Sequence, residues 1–206
     1  MANTHLLLLS RWLTPVPAFL APITRPGCRI GYVPTASSIY PDHAWLDLER
    51  DTLGQQGYQV TDLDPELMGA AAFARALQAV DAVFVAGGNT FHLLGALRLA
   101  GADRAIVDAV RSGLPYIGVS AGAAVVGPDI APLALLDDLT EAAPLTSTEG
   151  LGLVEVTVIP HAEGTVGGRG PVEATRKRFG NDHRLHFLRD DEAIVVSDGT
   201  LRVIPG

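Results

Sequence analysis

The chain has 206 residues, 48% of them hydrophobic and 18% charged, with a formal net charge of −8. That length suits one domain with a substantial core, spanning 1–206, and the apolar share excludes a disordered chain. No basic cluster exists beyond Arg176, Lys177 and Arg178, so a nucleic-acid footprint is missing, and no uncharged apolar run reaches the roughly 18 residues needed to cross a bilayer.

Leu6 to Leu9 reads as a first strand, because it is too short for a signal-peptide core and lacks a preceding basic region. The four prolines at 15, 17, 22 and 26 forbid a long helix between Arg11 and Pro26, which reads as an irregular connection with a short turn over Ala18 to Ile23. The single cysteine, Cys28, cannot form an internal disulfide and reads as a packed thiol, in keeping with a cytoplasmic protein. Arg29 to Val33, closed by Pro34, reads as a buried parallel strand. Ser37, Ser38 and Tyr40 follow in a loop expected to face solvent.

Pro41 to Gln56 carries Trp45, Leu46, Leu48 and Leu53 among charged residues, the pattern of an amphipathic helix closed by Gly57. Gln59 to Leu63 is a third strand and Glu66 to Val80 the next helix. Val83 to Ala86 is a strand that turns through Gly87, Gly88, Asn89 and Thr90 into a helix capped by Asn89 and running to about Leu99. Asp103 caps a further helix closed by Gly113. Alternating strand and helix demands crossovers, and right-handed crossovers give a doubly wound, mainly parallel α/β sheet covered on both faces.

Tyr116 to Val119 turns at Ser120 into another helix, and this crossing reads G-x-S-x-G. Gly118 and Gly122 remove side chains that would collide where a strand reverses sharply into a helix, so Ser120 can project its hydroxyl from the sheet edge as a nucleophile. The N–H of Ala121, opening the helix, would then face an anion forming beside Ser120, and the Gly87–Gly88 turn can offer the N–H of Gly88 as a second oxyanion donor. Asn89 and Thr90 of that turn are expected beside the substrate, and His92 is either a pocket residue or an exposed helical histidine.

Pro128 to Gly150 follows neither helix nor strand pattern and reads as a long functional or mobile loop. Leu153 to Ile159 is a strand with His161 just past its carboxyl end, at the sheet edge where Ser120 emerges, which makes His161 the best general base among six histidines. His183 and His186 have i, i+3 spacing but no third ligand pattern, so no metal is expected, and no cofactor. After a glycine-rich segment, Val172 to Phe179 is a helix, and Arg184 to Leu188, Ala193 to Ser197 and Thr200 to Ile204 are closing strands, the last two joined at Asp198 and Gly199.

The segments VFVAGGNTFHLL, LPYIGVSAGAAVVGP and VIPHAEG resemble the signatures of peptidase E, the aspartyl dipeptidases of serine peptidase family S51, and the resemblance runs from Leu6 through the last strands. It implies a three-layer sandwich similar to class I glutamine amidotransferases, with a serine in place of their cysteine, a short peptide as substrate and a homodimer. It also implies that His161 is the base and that Asp190, in LRDDEAIVV, is the acid orienting it, although the relatives carry glutamate there and Asp191 and Glu192 crowd the register. Asp137 and Asp138 are rival acids. Arg176, in EATRKRF, resembles the arginine that would hold an aspartyl carboxylate, in a segment altered here to GGRGPVEATR.

Two other readings compete. An α/β-hydrolase esterase shares G-x-S-x-G and predicts the chain order Ser, acid, His, which Asp137 or Asp138 would satisfy, but the HGGG-type turn near the amino end is missing. A catalytically silent small-ligand binder would use Ser120 only as a hydrogen-bonding group.

Overall fold

The computed structural model describes residues 4–140 and 142–206. Strands β1 (His5–Leu9), β2 (Arg29–Val33), β3 (Gln59–Asp62), β4 (Ala82–Val85), β5 (Tyr116–Val119), β8 (Glu192–Ser197) and β9 (Thr200–Pro205) form one seven-stranded sheet in the order β3-β2-β4-β5-β1-β8-β9. The first five are parallel to one another, whereas β8 runs antiparallel to β1 and β9 antiparallel to β8. Strands β6 (Thr157–Ile159) and β7 (Leu185–Phe187) stand apart as a parallel pair. The closing strands therefore divide between two sheets, and the expected strand from Leu153 shrinks to its last three residues.

The Leu-rich first strand is apolar throughout because both faces of the sheet are covered. Leu6 and Leu8 enter one core together with Val83, Val85 and Tyr116, beneath α3 (Ala70–Gln78), α4 (Thr90–Leu99), α5 (Ala102–Arg111) and α6 (Ala121–Ala124). Leu7 and Leu9 enter the other with Phe84 and Ile117, beneath α1 (Val16–Leu20) and α2 (Ala44–Gln55). Side chains at successive strand positions point to opposite faces, so a strand covered on both sides reads as a continuous apolar run. The last helix, α7 (Arg169–Phe179), packs Thr175 toward the 3₁₀ turn Ala131–Leu135 and starts three residues earlier than its periodicity suggests.

Local chemistry explains the other departures. Pro15 and Pro17 sit at the start of α1, where a missing N–H costs nothing, so a five-residue helix forms in the proline-rich connection. Helix α3 begins at Ala70 because Asp64 to Met68 closes a turn of its own, with Leu67 and Met68 N–H bound to the Asp64 carbonyl. Helix α5 starts at Ala102, with left-handed Gly101 rather than Asp103 at its cap; Asp103 lies in the first turn, where its negative charge complements the positive end of the helix dipole. Cys28 is fully buried. Ser37 is buried too, donating to the Gly87 carbonyl at 2.6 Å, because the turn after β2 folds under the glycine turn after β4 instead of facing water. Among the described residues no helix is long and apolar enough to cross a membrane.

Candidate active site

Strands β1, β4 and β5 end on the same side of the sheet, and their carboxyl ends, where open α/β sheets place ligands, build the site. Ser120 follows β5 directly with φ 51° and ψ −108°, a conformation that few L-residues adopt. Its N–H is held by the Leu9 carbonyl at 2.9 Å, and its own carbonyl receives the N–H groups of Ala123 and Ala124. The flanking glycines are required by space: a Cβ on Gly118 would meet the Gly122 carbonyl oxygen at 2.3 Å, and one on Gly122 would meet that of Val85 at 2.1 Å. The turn after β4 closes on the same point, since a Cβ on Gly87 would lie 3.2 Å from the Cβ of Ser120. Gly88 has φ 140°, and among the described residues no protein acceptor takes its N–H or that of Ala121.

His161 follows β6 after Pro160 and also lies in the left-handed region, at φ 55°. Its Nε2 is 3.0 Å from Ser120 Oγ and its Nδ1 is 2.8 Å from Asp190 Oδ1. A carboxylate partner fixes the tautomer: Nδ1 carries the proton, and the Nε2 lone pair faces the serine hydroxyl. Asp190 is 8% exposed and lies where the chain passes from β7 to β8. Burial pushes its carboxyl up, but hydrogen bonds from Thr165, Ser10 and His161 outweigh it and hold the group below the usual aspartate range. Thr165 donates to Oδ2 at 2.6 Å, Ser10 to Oδ1 at 2.7 Å, and the Arg11 guanidinium lies 3.7 Å from Oδ2.

The rival acids do not hydrogen-bond the imidazole, although Asp137 lies close enough to His161 for its carboxylate to feel the imidazolium charge. Asp137 accepts the Thr90 N–H at 2.8 Å, and burial raises its pKa; Asp138 is exposed, caps Thr140 and offers its carbonyl to Asn89 Nδ2 at 2.6 Å. Asp191 is exposed and pairs with Arg189. The contacts run in the chain order Ser, His, Asp, so the order expected of an α/β-hydrolase is not the one assembled. Asn89 caps α4 by accepting the His92 N–H at 2.9 Å, and both Asn89 and Thr90 are buried by their ties to the segment carrying Asp137 and Asp138. His92 is buried as well, 2.8 Å from Ser38 Oγ and accepting the Ala143 N–H at 3.2 Å. The long segment after Ser120 is thus latched onto the first turn of α4.

Arg176 does not join this group. Its guanidinium lies 3.6 Å from the Phe187 ring centre, in the wall of a cavity of about 460 Å³ that Glu163, Arg169 and Arg189 also line and that contains none of Ser120, His161 and Asp190. The two histidines with i, i+3 spacing are occupied separately: His183 binds Asp129 at 3.1 Å, and burial lowers the pKa of His186. Among the described residues no three His, Cys, Asp or Glu side chains gather as a metal site.

Residues 8–204 match the model of peptidase family S51. The chain belongs to that family. This S51 chain is 31% identical to an uncharacterized peptidase of Listeria innocua, Lin0382, over 84% of its own length and 82% of the relative's. Peptidase E of Streptomyces coelicolor is 40% identical over 66% of this chain and 51% of that protein. Among solved structures, a candidate peptidase E protein from Listeria monocytogenes EGD-e superposes with a TM-score of 0.88 at 29% identity, covering 99% of both chains. The chain is accordingly a serine-type peptidase with the three-layer α/β fold of that neighbour.

Sequence reasoning missed Ser10, Thr165 and Arg11, all of which meet Asp190. A signal for Ser10 exists: it is a hydroxyl one residue past a central parallel strand, at the edge where ligands bind. Thr165 lies in a glycine-rich turn with no periodicity, and nothing in its neighbourhood announces it.

Proposed function

We propose that this S51 chain hydrolyses short peptides through Ser120, His161 and Asp190, with the N–H groups of Gly88 and Ala121 as oxyanion donors. The observation that carries the reading is the 3.0 Å contact between Ser120 Oγ and His161 Nε2, with Asp190 on the other ring nitrogen. Ser120 Oγ attacks the peptide carbonyl carbon while Nε2 takes its proton, and the carbonyl electrons move onto an oxygen facing the two N–H groups. Asp190 stabilises the imidazolium without taking its proton. Collapse of the tetrahedral species breaks the C–N bond, and the amine leaves with the proton held on Nε2. Water, deprotonated by the same nitrogen, then attacks the acyl-serine ester, and the ester C–O bond breaks as Nε2 returns the proton to Ser120 Oγ, releasing the acid and restoring the free serine.

Short substrates fit the surroundings. Asn89, Thr90 and His92 tie Asp137, Asp138 and Ala143 to the first turn of α4, beside the turn that offers the Gly88 N–H, and this narrows the approach to Ser120 on that side. An amino-terminal aspartate is not a requirement in this reading, because the guanidinium that would select it is stacked on Phe187 in a separate cavity.

The test is a screen of dipeptides and tripeptides with product identification by mass spectrometry, run with the wild-type chain and with Ser120→Ala. The substitution should lower turnover by roughly four to six orders of magnitude and leave the fold intact. Wild-type turnover by the alanine variant on every cleaved substrate would sink the proposal.

A further inference from the structure

The proposed nucleophile and base stand on different sheets: Ser120 ends β5 of the large sheet, and His161 ends β6 of the small one. A hydroxyl–imidazole contact of 3.0 Å across such a junction needs something that fixes one sheet against the other. The register shows where that can act. Leu9 pairs with Val119 on one side and with Ala193 on the other, so the next residue, Ser10, falls between Ser120 and the crossing that carries Asp190.

Ser10 is fully buried, and its single oxygen is used in both directions. It donates to Asp190 Oδ1 at 2.7 Å and accepts the backbone N–H of His161 at 2.8 Å, with His161 Nδ1 a further 3.4 Å neighbour. His161, whose backbone it grips, is itself in a left-handed conformation, which a non-glycine residue keeps only where its surroundings impose it. We infer that Ser10 is a positioning residue: its hydroxyl bolts the His161 backbone and the Asp190 carboxylate to the end of β1, and so sets the small sheet's imidazole against the large sheet's serine. The inference rests on the reading of Ser120 and His161 as nucleophile and base. It assigns Ser10 no contact with substrate, so its loss acts on the rate of serine attack and leaves substrate binding alone.

Ser10→Ala removes both bonds, and Ser10→Cys weakens them by putting a poor donor and acceptor of similar shape in the same place, which covers the case of an alanine variant that does not fold. The rate at which a fluorophosphonate labels Ser120 should fall about 10- to 100-fold in either variant, the loss expected from misplacing a reacting group by a fraction of an ångström to an ångström, with KM for any cleaved peptide unchanged. In a His161→Ala background the same substitution should change the residual labelling by less than about twofold, since the positioned group is already gone. The low-field proton resonance of His161 Nδ1–H should be present in the wild type and broaden into exchange with water in the variants. Wild-type labelling with a retained resonance overturns the inference, and so does an equal loss with and without His161, which marks a general packing defect. A wild-type chain that does not label overturns the peptidase mechanism instead, and the resonance comparison then decides the role of Ser10 by itself.

Discussion

Replacing Asp190 by asparagine separates the proposed triad acid from its rival within one experiment. The asparagine is isosteric, and its side-chain oxygen can still accept from His161 Nδ1 and Ser10, so geometry is largely kept and charge is lost. The charge matters once Nε2 has taken the serine proton. With charge centres about 4 Å apart and an effective dielectric constant of about 20, carboxylate and imidazolium attract by ~4 kcal/mol. The asparagine dipole returns part of that, so a fall in kcat of about 10²- to 10³-fold follows, with KM little changed. Asp137→Asn is the control. Its asparagine oxygen can still accept the Thr90 N–H, and a loss below about tenfold is expected because no imidazole bond is broken. Both variants are measured with the same peptide under steady-state conditions, with thermal melts to confirm folding. An Asp190→Asn enzyme at wild-type kcat beside an Asp137→Asn enzyme a thousandfold slower would refute the assignment and make Asp137 the acid. The pH profile adds a second check. Asp190 stays ionised down to below the ordinary aspartate range, so no step from this carboxyl should appear in the kcat profile above that range.

Further consequences can be measured without a known substrate. Gly122→Ala would put a methyl carbon 2.1 Å from the Val85 carbonyl oxygen, and a loss of about 3 kcal/mol or more is expected, read as a lower denaturant midpoint. Asn89→Ala removes the α4 cap and the bond to the Asp138 carbonyl; a stability loss of about 1–2 kcal/mol should accompany faster amide exchange over residues 137–140, and unchanged exchange there would contradict the latch. Partly buried Glu49 accepts the Tyr32 hydroxyl at 2.5 Å, and burial pushes its carboxyl up to about 7 against the opposing effects of Tyr32 and Arg50. The folded chain therefore holds this proton where the unfolded chain has released it, so the contribution of Glu49 to stability is present below about pH 4.5 and is lost as pH rises toward 7. Glu49→Gln should flatten that part of the melting-temperature profile; a slope that survives the substitution would assign it to another group.

What could be read from the sequence, and what could not, divides along the range of the interactions involved. The strand-turn-helix units were legible because each is local: Val83 to Ala86 is apolar on both faces, Gly118 and Gly122 bracket Ser120, and Asn89 is a capping residue followed by a helical pattern. Ser120 and His161 were legible as candidates for the same reason, each being a reactive side chain just past a strand. Which acid faces His161 was not legible from local pattern, since Asp137, Asp138, Asp190 and Asp191 all stand in polar turns; the family resemblance pointed to Asp190, and the passage from β7 to β8 brings it within 2.8 Å of the imidazole. The burial of His92 was hidden in the same way: helical periodicity counts a face as exposed until a distant segment covers it, and Ala143, 51 residues on, is that cover. Ser10 is the sharpest case. It occupies a position that any small residue could fill for the strand's sake, and its hydroxyl acquires a purpose only when residues 151 and 180 places later arrive beside it. Local pattern thus names the groups able to do chemistry, whereas the groups that hold them in place are spread over three strand ends and come together only through the fold.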